Sequence, residues 1–168
     1  MTRRAYIICP YREHYSQTKE RVIPMIEQDT IKLLRECDAG VKMGAASIHD
    51  VLGKAKAPAM RKALADCKAE HEALGEELRA ELARFRDEGK DPNPMAEGMS
   101  WVKTEAMLLM KDCDATIADL MTDGCGMGVK SLNRYLNQYE AASERAKDIA
   151  KRLIHLEQTL AEDMREFL

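Results

Sequence analysis

The fold of this chain is indicated by a stretch that occurs twice, Gly40-Val41-Lys42-Met43-Gly44-Ala45-Ala46-Ser47-Ile48 and then Gly124-Cys125-Gly126-Met127-Gly128-Val129-Lys130-Ser131-Leu132. The two copies lie 84 positions apart and share the pattern G-x-x-M-G-x-x-S-[IL] without a gap. Self-similarity at a fixed interval is the sequence sign of a repeated structural unit. The repeat therefore predicts one helical unit that is present twice.

The composition is typical of a helical bundle. Aromatic residues make up 5% of the 168 residues and charged residues 33%, and there are 11 methionines. Residues with good helix propensity dominate the chain. A chain of this length forms one domain with a sizeable core. We therefore predict an all-α fold.

Apolar residues three and four positions apart define a first predicted hairpin. They form one face of helix one, over 29–52, and of helix two, which begins at Pro58. Gly53 ends helix one, and proline suits the first turn of a helix. The predicted core positions are Leu34, Cys37, Val41, Gly44, Ile48 and Val51 in helix one and Met60, Leu64, Cys67, His71, Leu74, Leu78, Leu82 and Phe85 in helix two.

The second half of the chain allows two interpretations. In the first, 122–126 is a turn, and the last helix is several times longer than the usual length of about 11 residues. In the second, helix three spans 115–137 and helix four spans 141–167, as copies of helices one and two. The apolar spacing of helix four matches that of helix two at an offset of 82, which favours the second interpretation. Residues 88–114 are then a long crossover that contains a helix of its own.

The glycines of the repeat need a physical reason, because each glycine inside a helix destabilises it by about 1 kcal/mol relative to alanine. Residues without a side chain allow two helix backbones to approach closely. We predict that helices one and three cross where Gly40 and Gly44 meet Gly124 and Gly128.

Two helical hairpins joined by one long crossover are the organisation of ferritin-like bundles, and the chain resembles that superfamily. It is similar to a bacterial ferritin-like group of unknown function in Leu34-Arg35-Glu36-Cys37-Asp38-Ala39-Gly40, in the Pro58-led helix and in the glycine repeat. The predicted organisation is an N-terminal arm or short helix at 1–28 and a ferritin-like four-helix bundle at 29–168, divided into a first hairpin at 29–87, the crossover at 88–114 and a second hairpin at 115–168.

The resemblance implies a di-iron site, which requires a Glu on each of two helices and a Glu-x-x-His on each of the others. This chain departs from that pattern. Lys68 precedes His71, and Arg152 precedes His155, at the position where glutamate is required. The core positions of helices one and three supply no glutamate. We therefore interpret the di-iron centre as lost and predict no cofactor.

A smaller set of metal ligands remains in the first hairpin. Cys67 and His71 share a helix face, and the antiparallel register places Cys37 and Asp38 at the same depth. These groups are able to hold one zinc or iron ion in tetrahedral geometry. The favoured alternative is two buried thiols and a core histidine that bonds Asp38 or a backbone carbonyl.

Charge and cysteine content limit the classes of function. The net charge of −3 gives no electrostatic reason to bind nucleic acid or an anionic membrane surface. Five cysteines without a C-x-x-C motif, in a chain without an apolar run of membrane-spanning length, predict a cytoplasmic protein.

Three functional hypotheses follow. The leading one is a ferritin-like binding or structural module that forms a homo-oligomer, most simply a dimer, with other protein partners not identified by the sequence. The rival is a metal redox protein of the rubrerythrin or ferritin-like oxidase type, with ligands rearranged around His71; an enzyme is the less favoured hypothesis. The third is a small-ligand or helix binder that uses the methionine-rich crossover near Trp101.

Overall fold

The structure is a computed structural model that describes residues 11–92 and 113–168, with side chains from 25 and from 114 onward in the two parts. Within these ranges the chain is all-helical and contains no strand, so the all-α prediction is confirmed there. None of the described helices is long and apolar enough to cross a membrane. The elements are α1 (Tyr11–Leu52), α2 (Pro58–Arg84), α3 (Cys113–Gln138), α4 (Glu144–Met164) and a short 3-10 helix (Arg165–Phe167).

The four helices pack as a bundle of two hairpins, α1 with α2 and α3 with α4. Helices α2 and α4 also pack against each other, and α1 contacts both α3 and α4. The predicted apolar positions form the core, where burial of each large aliphatic side chain contributes about 1.5–3 kcal/mol. The fully buried side chains include Leu34, Ile48, Met60, Leu64, Leu78, Leu82, Ile149, Leu153, Leu160 and Met164.

Helix α3 is continuous through Gly124, Gly126 and Gly128, the three glycines of the second repeat copy. The interpretation in which 122–126 forms a turn is therefore wrong, and a separate helix three is confirmed. Cys125, between Gly124 and Gly126, is buried, so the helix gains packing at the position where the glycines weaken it. Helix α4 begins where Ser143 Oγ accepts the amide of Ala146 at 3.3 Å, which is a normal N-cap.

Helix α1 begins at Tyr11 and not near residue 29, and it continues across residue 28 without a break. The predicted boundary between an N-terminal segment and the bundle therefore falls inside one helix. The hydroxyl of Thr30 accepts the amide of Ser143 at 2.8 Å, and Phe85 lies beside Ile26. The other described helices thus begin or end level with residues 26–30, and the first turns of α1, over 11–24, project about 20 Å beyond them.

The ends of α2 and α3 fix where the crossover begins and ends, and the helix predicted within it falls in 93–112, outside the described residues. Asp114, at the start of α3, accepts the backbone amides of Lys56 at 2.7 Å and Ala57 at 2.9 Å, just before α2 begins. Helices α2 and α3 therefore start at the same end of the bundle. Because α2 finishes at the other end, the crossover begins and ends at opposite ends of the bundle.

Asp114→Ala is expected to lower the free energy of unfolding by about 1–3 kcal/mol, because two backbone amides lose their acceptor. The measurement is urea denaturation followed by circular dichroism. Asp119→Ala is the matched control, since Asp119 is an exposed aspartate on the same helix. Equal stability of the Asp114 and Asp119 variants would show that the Asp114 carboxylate does not tie the two hairpins together.

Candidate functional site

A histidine lies in the bundle interior: His71 of α2 is 1% exposed. Its Nδ1 lies 2.9 Å from the carbonyl oxygen of Cys67, one turn earlier. A carbonyl can only accept, so Nδ1 carries a proton and donates it. The other ring nitrogen, Nε2, faces Glu157 Oε1 of α4 at 3.4 Å.

Glu157 is the acidic partner of this site, and it is 8% exposed. Cys125 of α3 also bonds the Glu157 carboxylate. Burial, followed by the charge of Glu157 and this hydrogen bond, raises the pKa of the Cys125 thiol well above its ordinary value. Cys125 is therefore a neutral thiol donor, and side chains from α2, α3 and α4 meet at one carboxylate.

The two partners of the buried pair each occupy space that a glycine of the repeat leaves free. A Cβ on Gly44 would lie 2.5 Å from Nε2 of His71, and a Cβ on Gly128 would lie 3.3 Å from Cδ of Glu157. These two glycines are equivalent positions of the repeat. One copy therefore makes room for the imidazole, and the other makes room for the carboxylate.

The imidazole of His71 is a cation in this environment. Burial by itself opposes the charged form, but the hydrogen bonds to Cys67 and Glu157 raise the pKa of His71 from 6.5 to about 10. The geometry gives the reason. With Nδ1 committed as a donor, a neutral ring would present a lone pair on Nε2 to the carboxylate, whereas a protonated ring donates to it. His71 and Glu157 therefore form a buried ion pair.

The predicted metal ligands do not converge. Cys67 and His71 are adjacent as expected, with Sγ 3.5 Å from Nδ1. Asp38 instead accepts the backbone amide of Lys90 at 2.9 Å and pairs with Lys42 at 3.0 Å. Its carboxylate therefore fixes the segment after α2 and does not reach the histidine.

The fourth predicted ligand, Cys37, is buried in the apolar core, and burial, together with the charges of Glu36 and Asp38, raises the pKa of its thiol to about 12. Throughout the described ranges, no group of three or more His, Cys, Asp or Glu side chains is arranged to hold a metal ion. The donor set does not fit a di-iron centre, because the interior pair contributes one carboxylate and one imidazole that already bond each other.

The predicted crossing of helices one and three at the glycines also needs correction. The nearest side chain to Gly40 is Leu153 of α4, and the nearest to Gly44 is His71 of α2. A Cβ on Gly124 would meet no atom within 4 Å. The close approaches at Gly44 and Gly128 therefore accommodate side chains of α2 and α4, whereas a Cβ on Gly40 would meet Leu153 at an ordinary van der Waals distance of 3.5 Å.

Sequence analysis identified His71 but missed Glu157, its partner. The signal was present, since Glu157 lies four residues after Leu153 and three before Leu160, on the apolar face of α4. A search of protein families, curated proteins and solved structures with this chain finds no match. The site is therefore interpreted from its own geometry.

Proposed function

We propose that this chain is a ferritin-like helical bundle that has lost its metal ligands and works as a binding or structural module. The closed interior supports this proposal. His71 and Cys125 both bond the buried carboxylate of Glu157, so none of the three groups is presented to a substrate. The described cysteines Cys37, Cys67 and Cys125 are free thiols, which suits the proposed cytoplasmic location.

The observation that carries the proposal is the projecting end of α1. An isolated helix of this length is marginal in water and normally needs a packing partner. At the base of the projection, Met25 is 52% exposed and Ile26 is 39% exposed. Ile26 borders a depression of about 300 Å³ that also contains Phe85 and Thr30. Exposed apolar residues beside such a depression are typical of an association surface.

We propose that the partner at this end is a second copy of the chain. Two copies that pair side by side at this end would bury Met25 and Ile26 of each copy. The arrangement would be isologous, because the same surface is used by both copies. A homodimer is thus the simplest assembly that stabilises the projection.

The double substitution Met25→Lys/Ile26→Lys is expected to convert a dimer into a monomer, because it places charges in the apolar contact. Light scattering coupled to gel filtration measures the mass directly. Leu168→Lys is the matched control, since Leu168 is 64% exposed and this substitution also replaces an exposed apolar side chain with lysine. A wild-type protein that is monomeric at high concentration, or a double variant that stays dimeric, would contradict the proposal.

A further inference from the structure

The end of α2 contains an arginine in a backbone conformation that favours glycine. Arg86 has a φ of +56°, in the left-handed region that residues with a side chain rarely adopt. Its amide donates to the carbonyl of Ala83 at 3.0 Å, and the next amide, of Asp87, donates to the carbonyl of Leu82 at 3.1 Å. This is the Schellman arrangement, in which the position of Arg86 is usually occupied by glycine. An arginine at this position therefore indicates a role for its side chain.

The described part of the chain provides no partner for that side chain. Arg86 is exposed, and it forms no ion pair or hydrogen bond through its guanidinium with any residue whose side chain the structure describes. The neighbouring arginine differs, since Arg84 pairs with Glu81 of the same helix at 3.1 Å. The charge of Arg86 is thus available to a group outside the described part of the chain.

Arg86 lies at one edge of the depression of about 300 Å³ at this end of the bundle. Phe85, the residue before it, lines the α2 side of the depression, and Ile26 and Glu27 line the α1 side. Glu27 is exposed and likewise has no ion-pair partner among the described side chains. The depression is therefore bordered by an anion on α1 and a cation after α2, with the apolar Ile26 and Phe85 between them.

Opposite charges at the two edges make this surface complementary to itself. A twofold axis along the groove between α1 and α2 sets the α1 edge of one copy against the α2 edge of the other. We propose that Glu27 of each copy pairs with Arg86 of the other, so that two ion pairs flank the apolar contact. This inference rests on the dimer proposed above and identifies the residues that align its two copies. Charge pairs of this kind fix the register of an interface.

Glu27→Arg and Arg86→Glu are each expected to raise the dissociation constant of the dimer about tenfold or more, because each creates two like-charge pairs. The double substitution Glu27→Arg/Arg86→Glu exchanges the charges and should restore the constant to within about threefold of wild type. An equimolar mixture of the two single variants should form a heterodimer for the same reason. Sedimentation equilibrium of the full-length chain measures the constants, and circular dichroism checks that each variant is folded.

Glu140→Arg is the matched control for these substitutions. Glu140 is an exposed glutamate at the same end of the bundle, beside the Ala141 amide that Asp29 accepts, and it does not line the depression. Glu140→Arg should leave the dissociation constant unchanged and should not rescue Arg86→Glu. Rescue by Glu140→Arg would overturn the pairing, and so would a wild-type dimer whose constant is unchanged in both Glu27→Arg and Arg86→Glu. A monomeric wild type would overturn the dimer and the pairing together.

Arg86→Gly separates the role in association from a role in the fold. Glycine adopts the left-handed conformation without strain, so the urea midpoint should rise at protein concentrations at which the chain is monomeric. The dissociation constant of the dimer should nevertheless increase about threefold or more, because both ion pairs are lost. An unchanged or smaller dissociation constant in Arg86→Gly would contradict the pairing.

Discussion

Replacing Gly44 by alanine is expected to lower the free energy of unfolding by about 2–4 kcal/mol, although alanine is the better helix former. The added methyl group would lie 2.5 Å from Nε2 and 2.8 Å from Cδ2 of His71. The ring cannot move away without losing contacts, because it is buried and bonds both Cys67 and Glu157. The steric penalty and the weakened ion pair therefore exceed the gain of about 1 kcal/mol in helix propensity.

Gly126→Ala is the matched control for this substitution, since Gly126 lies in the other copy of the repeat and has no atom within 4 Å of the added Cβ. Here only helix propensity acts, so stability should rise by about 0.5–1 kcal/mol. Urea denaturation of both variants shows whether each substitution lowers or raises the free energy of unfolding. In a His71→Ala background the penalty at Gly44 should disappear, which a double-mutant cycle detects. Destabilisation of equal size at Gly44 and Gly126 would contradict the interpretation that Gly44 leaves space for the imidazole of His71.

Replacing Glu157 by glutamine is expected to destabilise the bundle by about 3 kcal/mol at pH 6, because it leaves a buried imidazolium without its counter-charge. The effect should depend on pH. The pKa of His71 is raised from 6.5 to about 10 in the folded chain. The stabilisation by the charged ring is therefore fully present below about pH 6.5 and is lost as the pH rises through 10.

The measurement is the difference in unfolding free energy between wild type and Glu157→Gln at pH 6 and pH 10. We expect the difference to become smaller at pH 10. His155→Gln, which replaces an exposed histidine on the same helix, corrects for the titration of other groups. The double substitution His71→Leu/Glu157→Leu should be less destabilising than Glu157→Gln, because no buried charge remains. A pH-independent difference would show that His71 is neutral in the folded protein.

The helices and most of the core could be predicted from the sequence. Apolar residues recur every three or four positions, and Pro58 sits where a first-turn proline belongs. The continuity of α3 through Gly124 was also predictable, because the repeat aligned it with helix one. The start of α1 was not predictable. Pro24 lacks an amide hydrogen, and a proline at such a position usually indicates the end of a helix. In the structure the helix passes through that position.

The site was only half predictable, for reasons that lie in the packing of neighbouring helices. The spacing of Gly40 and Gly44 indicates a close approach, but it does not identify the approaching helix. That helix was α2 at Gly44, where the bulky group is His71. Glu157 was missed because glutamate is almost never buried without a partner, and its partner lies on α2, distant in sequence. Asp38 was assigned to the histidine by depth alone, whereas its carboxylate points to the chain after α2.

The most direct test of the account is nitrogen-15 NMR of the His71 ring between pH 6 and pH 10, with and without one equivalent of Zn²⁺ or Fe²⁺. A closed interior in which His71 pairs with Glu157 predicts an imidazolium that is still protonated at pH 8 and that does not respond to the metal. A ring that has lost its proton by pH 8, or resonances that shift in proportion to added metal, would contradict it.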